Sequence, residues 1–172
     1  MNIRFSGFGG QGIILSGVIL GWAAVLDGKN AIQTQSYGSS ARGGSCKCDV
    51  IIQESAIYEL EPEHNDILIT FSQPSYNAFI KSLKEGGHLF YDSDLVTVDT
   101  NEFPCNSIPA TDIAFKEFKQ KIYANMLMLG FLAEKIRFIG FRAIEKSISQ
   151  YVPTKTIEMN IAAFRMGIDL AK

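Results

Sequence analysis

Apolar and polar positions divide the chain into short extended runs and longer helical ones. Ile3-Arg4-Phe5-Ser6 reads as a strand that runs into a glycine-rich stretch, Gly7 to Gly12. Ile13 to Leu26 is almost wholly apolar and stops at Asp27-Gly28, the pattern of a buried helix, and Asn30 to Gln35 reads as a second strand. Strand, helix and strand in that order open a βαβ unit, which predicts a parallel sheet with right-handed crossovers. Ser45 to Gln53 alternates, with Cys46, Cys48, Val50 and Ile52 on one face; a turn at Glu54-Ser55 and a short strand at Ile57-Tyr58 would complete a hairpin. Asp66 to Phe71 reads as a continuous apolar run, as a central parallel strand requires. Pro74 opens a helix with Tyr76, Phe79, Ile80 and Leu83 on one face, closed by Gly86-Gly87. Leu89 to Tyr91 and Asn106 to Ile108 give two further strands, and the remainder is helical. Ile122 to Phe138 is apolar nearly all round and should be buried. Phe141, Ile144 and Ile148 stripe a short helix ended by Pro153, and Thr154 caps a last helix with Ile157, Ile161, Phe164 and Ile168 inside. With no linker and no internal repeat, the expectation is one three-layer α/β domain over residues 1–172. Its sheet would be largely parallel with a hairpin, and its C-terminal third helical.

Charge and composition narrow the classes of function. The 172 residues carry a formal net charge of -2, with Lys and Arg scattered, so no basic face offers itself to nucleic acid. The apolar stretch Ile13 to Leu26 is shorter than the roughly 20 residues that span a bilayer. Trp22-Ala23-Ala24-Val25-Leu26-Asp27 is no signal-peptide cleavage site either, so no membrane partner is expected. Three cysteines, two of them in Cys46-Lys47-Cys48, form no disulfide framework and fit a reducing, cytoplasmic setting.

Candidate chemistry concentrates in two loops. Gly7, Gly9 and Gly12 have G-x-G-x-x-G spacing after a strand and before a helix, which gives the chain a Rossmann-like beginning. There the backbone of Gly9, Gly10, Gln11 and Gly12 can approach a phosphate, drawn by the unpaired N–H groups of the helix start. Close helix–sheet packing explains the same glycines equally well. A dinucleotide fits poorly, because Gln33-Thr34-Gln35 has no acid for a ribose hydroxyl. In the second loop, Gly38 and the pair Gly43-Gly44 would place Tyr37 and Arg42. The planar fork of an Arg suits a phosphate or carboxylate, whereas an isolated loop Arg is usually just solvated. Cys46 and Cys48 without a nearby third ligand make no metal site. His64 and His88 lie in unrelated contexts; the acids around Glu59, Glu61, Glu63 and Asp66 read as a solvated face, or as one that meets a basic patch on a partner; Asn125 and Asn160 read as buried amides capping backbone groups, with ligand contact as the alternative. No residue presents itself as catalytic.

Together the loops carry a resemblance. Gly7-Phe8-Gly9-Gly10-Gln11-Gly12 followed by Gln35-Ser36-Tyr37-Gly38-Ser39-Ser40-Ala41-Arg42-Gly43-Gly44 is similar to the gamma subunit of 2-oxoacid:ferredoxin oxidoreductases. The likeness continues through Asp66-Ile67-Leu68-Ile69, Ile108-Pro109-Ala110-Thr111-Asp112-Ile113-Ala114, Asn125-Met126-Leu127-Met128-Leu129-Gly130 and Asn160-Ile161-Ala162-Ala163-Phe164. Tyr37-Gly38 and Ala41-Arg42-Gly43-Gly44 look more like the 2-oxoglutarate group than the pyruvate group, with branched-chain oxoacid enzymes next; Ser39-Ser40 replaces the Pro-Glu common there. The resemblance implies a subunit inactive alone, working with alpha, beta and delta-type subunits in oxidative decarboxylation of a 2-oxoacid, acylation of CoA and reduction of ferredoxin. Thiamine diphosphate and iron–sulphur clusters would come from those partners, since this chain shows no Gly-Asp-Gly thiamine motif and no Cys-x-x-Cys run. Its glycine and arginine loops would frame a CoA or thiamine phosphate. The alternative is a free-standing nucleotide-binding module resting on the first loop alone.

Overall fold

The computed structural model describes residues 1–36, 45–99 and 101–172. Tyr37, Gly38, Arg42, Gly43 and Gly44 lie outside the described residues. The strands are β1 (Asn2–Phe8), β2 (Asn30–Ser36), β3 (Ser45–Gln53), β4 (Asn65–Thr70), β5 (Leu83–Asp92) and β6 (Cys105–Ile108). The helices are α1 (Ile13–Leu26), α2 (Gln73–Phe79), α3 (Ala110–Phe118), α4 (Ala124–Ile136), α5 (Phe141–Tyr151) and α6 (Ile157–Leu170). None is long and apolar enough to cross a membrane.

The six strands form one sheet in the order β2-β3-β1-β4-β5-β6. β1, β4, β5 and β6 pair in parallel, and β3 is antiparallel to both neighbours. The α/β class, the largely parallel sheet and the helical C-terminal third are therefore as the sequence predicts. Four local expectations need correction. β1 and β2 run the same way but do not touch, because β3 lies between them. The hairpin is β2 with β3 and not β3 with Ile57-Tyr58, which form no strand. The helix after Pro74 ends early: a short 3-10 turn over Ile80–Ser82 leads straight into β5, so Gly86 and Gly87 lie inside a strand. Thr154 also starts a 3-10 turn, Thr154–Thr156, and α6 begins at Ile157 with no side-chain cap.

Most of the core lies on one face of the sheet. Ile3, Phe5, Cys48, Val50, Ile52, Ile67 and Ile69 meet α1, α4, α5 and α6 in one buried cluster, and a smaller cluster on the other face gathers Leu68, Leu89 and Val96 around Tyr76 of α2. α4 is buried from Ala124 to Glu134, which explains why its sequence is apolar on all sides. It crosses α6 at two glycines. A Cβ on Gly130 would sit 1.9 Å from the Phe164 carbonyl oxygen, and one on Gly167 would sit 2.0 Å from that of Leu127. Only glycine at both positions allows so close an approach.

A buried ion pair pins the second face. Arg4 and Asp49 are register partners on β1 and β3. The guanidinium grips the carboxylate with both arms, Nε–Oδ1 at 2.6 Å and Nη2–Oδ2 at 3.0 Å. Nη1 donates to Ser82 Oγ at 3.0 Å, and the group lies 5.2 Å from the Phe79 ring centroid. This bidentate geometry with extra partners offsets the cost of burying two charges. It also fixes the register of β1 against β3, since a slip of one residue would reverse every face.

Candidate functional site

A cleft of about 250 Å³ opens at one end of the sheet, lined by Gly10, Gln11, Phe71, Leu95, Thr111, Lys121, Ile122 and Ala124. Its residues come from far apart in sequence and share one structural address. Gly10 and Gln11 follow β1, Phe71 follows β4, Leu95 follows β5 and Thr111 follows β6. These are the carboxyl ends of the parallel strands. From β1 the chain leaves through α1 toward one side of the sheet, and from β4 it leaves through α2 toward the other. The crevice at such a reversal is where open α/β sheets bind ligands.

Gln11 holds the crevice in shape. Its Oε1 accepts from the Phe8 amide at 2.6 Å, and its Nε2 donates to the Phe71 carbonyl at 2.9 Å, so one side chain ties the β1 loop to the β4 loop. Gly10 has φ 93° and Gly12 φ 76°, and a Cβ on Gly12 would fall 2.1 Å from Asn125 Nδ2. That amide of α4 donates to the Gly12 carbonyl at 3.5 Å, and Asn160 donates to its own helix at Thr156. Both asparagines thus satisfy backbone carbonyls. Of the predicted first-loop residues, Gly10 and Gln11 line the cleft, with exposed Gly9 and left-handed Gly12 on either side of them in the loop.

The far wall was not foreseen from the sequence. Asp92, at the end of β5, is fully buried, and its Oδ2 accepts from both the amide (3.0 Å) and the hydroxyl (2.6 Å) of Thr111. Its Oδ1 accepts from the Asp94 amide at 3.1 Å, and its carbonyl accepts from Leu95 and Val96. One residue therefore sets both Thr111 and the turn that carries Leu95. Burial lifts the Asp92 carboxyl above the usual carboxylate range, against the bonds from Thr111 and the Asp94 amide. Lys121 contributes a cation from the 3-10 turn Lys121–Tyr123, and Leu95 and Ile122 add exposed apolar rims. The signal that could have found these residues is their place just after successive strands, which is readable only once the strand order is known.

Other candidates lie elsewhere. Cys46 and Cys48 are buried on the core face of β3, and burial pushes the Cys48 thiol up to about 12 despite a bond from Gln33. His64 is exposed, and His88 lies with Asp66 and Lys84 in a groove at the opposite end of the strands.

Known proteins match throughout. The family model for pyruvate ferredoxin/flavodoxin oxidoreductase matches residues 2–170. A 2-oxoglutarate synthase subunit KorC of Methanocaldococcus jannaschii is 45% identical over 99% of this chain and 94% of its own length. The gamma subunit of a keto/oxoacid ferredoxin oxidoreductase from Geobacter sulfurreducens superposes with a TM-score of 0.87 at 38% identity, covering 99% of this chain and 97% of that one. A 2-oxoglutarate:ferredoxin oxidoreductase from Magnetococcus marinus, solved with 2-oxoglutarate, coenzyme A and succinyl-CoA bound, gives a TM-score of 0.88 at 25% identity; this chain covers 99% of its own length and 31% of that larger chain. On sequence and on fold, the chain belongs to the pyruvate ferredoxin/flavodoxin oxidoreductase family.

Proposed function

We propose that the chain is the gamma-type subunit of a 2-oxoglutarate:ferredoxin oxidoreductase. The complex would decarboxylate 2-oxoglutarate, transfer the succinyl group to CoA and pass the electron pair to ferredoxin. The observation that carries this reading is the near full-length identity to a 2-oxoglutarate synthase subunit on both chains. Alpha-, beta- and delta-type partners bring thiamine diphosphate and iron–sulphur clusters, and the assembly works in the cytoplasm.

Within that assembly the cleft receives part of CoA. Its glycine backbone, Lys121 and apolar rims suit a phosphate-bearing carrier with an organic arm. The described residues flanking the second loop, Ser36 and Ser45, stand at the same end of the sheet, with Ser45 paired opposite Phe8. That placement favours Tyr37, Gly38, Arg42, Gly43 and Gly44 as contributors to the same phosphate site. A free-standing dinucleotide module is disfavoured by the strand order. With β3 between β1 and β2, the end of β2 stands about 10 Å from β1, two strand spacings away.

The test is to purify the tagged chain gently from its host and identify what accompanies it. A thiamine-binding chain and a ferredoxin-like chain should co-purify, with dye reduction dependent on both 2-oxoglutarate and CoA. Turnover by this chain alone, or its recovery alone with a bound nucleotide, would defeat the reading. In the assembled complex, Arg42→Ala should raise KM for CoA; unchanged Michaelis constants would remove Arg42 from the site.

A further inference from the structure

Thr111 lines the cleft, and the single proton of its hydroxyl is already committed. Thr111 Oγ1 donates to Asp92 Oδ2 at 2.6 Å, and that same oxygen accepts the Thr111 amide at 3.0 Å. The one oxygen accepts both bonds, and Thr111 is the donor in each. What remains of the hydroxyl for the cleft is lone pairs alone. Asp92 has no other orientation open to it. It is fully buried, and Oδ1 is held by the Asp94 amide at 3.1 Å.

We propose that Asp92 is a positioning residue that makes Thr111 a fixed hydrogen-bond acceptor in the cleft, so that the bound carrier must present a donor there, an amide N–H or a hydroxyl. This rests on the reading of the cleft as part of the CoA site. In the same cleft Gly10 and Lys121 favour an anionic group. The cleft therefore offers a cation and backbone donors together with one fixed acceptor, and it suits a ligand that carries both a phosphate and a hydrogen-bond donor. A free hydroxyl could turn either way and would not discriminate.

The test uses the assembled complex and steady-state kinetics with CoA and 2-oxoglutarate varied separately. Thr111→Val removes the acceptor and keeps the shape. It should raise KM for CoA about three- to tenfold, the worth of one neutral hydrogen bond, with kcat and the KM for 2-oxoglutarate unchanged. Thr111→Ser restores the oxygen and should return KM for CoA to near the parent value. Asp92→Ala should reproduce the Thr111→Val effect, because it removes the acceptor that holds the hydroxyl. Lys121→Ala reports on the cleft itself. If Lys121→Ala raises KM for CoA and Thr111→Val does not, the acceptor role is overturned while the cleft reading stands. If neither changes it, the cleft is not the CoA site and both fall. A Thr111→Val loss spread over kcat and both substrates, unrescued by Ser, would mark Thr111 as merely structural. A normal KM in Asp92→Ala would show that Asp92 does not position it.

Discussion

Gly130→Ala should destabilise the protein, although alanine is the better helix former. In an exposed helix the exchange would stabilise by about 1 kcal/mol. Here the new methyl would lie 1.9 Å from the Phe164 carbonyl oxygen, also within 3.0 Å of the Ile168 nitrogen. A carbon normally meets a carbonyl oxygen at about 3.3 Å, so α6 must retreat by roughly 1.4 Å or the contact cannot form. The obstacle is helix backbone, which has no rotamer to turn aside. Moving α6 also disturbs the reciprocal contact at Gly167 and the packing of Phe164, which is fully buried. Overpacking of this kind costs about 1–3 kcal/mol and occasionally more. Near the top of that range, and after the propensity gain, the net loss should be about 2 kcal/mol or more. For a chain of this size that corresponds to a melting temperature lower by about 4–8 °C. Gly21→Ala is the control. It lies in a helix too, but its Cβ would meet Val50 Cγ1 at an ordinary 3.6 Å, so it should be neutral or stabilising by up to about 1 kcal/mol. Urea unfolding of both variants decides the matter. If Gly130→Ala were as stable as Gly21→Ala, the close crossing of α4 and α6 would be refuted.

Asp49→Ala should cost about 3–5 kcal/mol, because it leaves the buried Arg4 guanidinium uncompensated, whereas Lys47→Ala, at the half-exposed margin of the same carboxylate, should cost about 1 kcal/mol or less; chemical denaturation separates them. In the native chain at pH 8, iodoacetamide should modify exposed Cys105 and spare Cys46 and Cys48, which burial shields and holds protonated; adducts on the latter pair, read by peptide mass spectrometry, would contradict the packing of β3. Partial burial raises the Asp66 carboxyl, but its bonds from Lys84 and the Asn2 amide outweigh that and draw it below the usual carboxylate range. Its folded value is depressed, so its contribution to stability is present above the ordinary carboxylate value and lost as pH falls through the folded one. Asp66→Asn should therefore flatten the acid limb of a stability–pH curve below about pH 4, and an unchanged limb would contradict the assignment.

The parts of the fold that were legible in the sequence are those written in one short window. The all-round apolar runs of α1 and α4 announced buried helices, and strand, glycines and helix at residues 3–26 announced the first loop. Partnership was not legible. The alternation of Cys46, Cys48, Val50 and Ile52 fixes which face of β3 meets the core, but says nothing about which strands lie beside it. Nothing local in the sequence marks Arg4 and Asp49 as partners, and only their register partnership makes them a buried pair. The stripe Tyr76, Phe79, Ile80 and Leu83 continued the helical period one turn too far, since Leu83 is buried equally well from the first position of β5. For the site, Gly10 and Gln11 were visible because glycine spacing is local. Asp92, Thr111 and Lys121 were not, because three-dimensional adjacency at strand ends leaves no mark on spacing.

The antiparallel strand wedged beside β1 also sets an order on how the chain can assemble as it is made. β1 comes first in sequence, yet both its neighbours, β3 and β4, are synthesised later, and β2 is never its partner. A nascent chain that has emerged only as far as β2 can form α1 but no native sheet pairing at all. The earliest native pairing is the β2–β3 hairpin, and β1 must then dock beside β3, with partners from 37 (Phe8 and Ser45) to 49 (Asn2 and Ile51) residues apart in sequence, before β4 arrives to close its other side. Such long-range closure is the slow kind of step in folding. Until the β2–β3 hairpin forms, the apolar face of α1 has no sheet to cover it, because in the sheet that helix packs chiefly on β3 and β2.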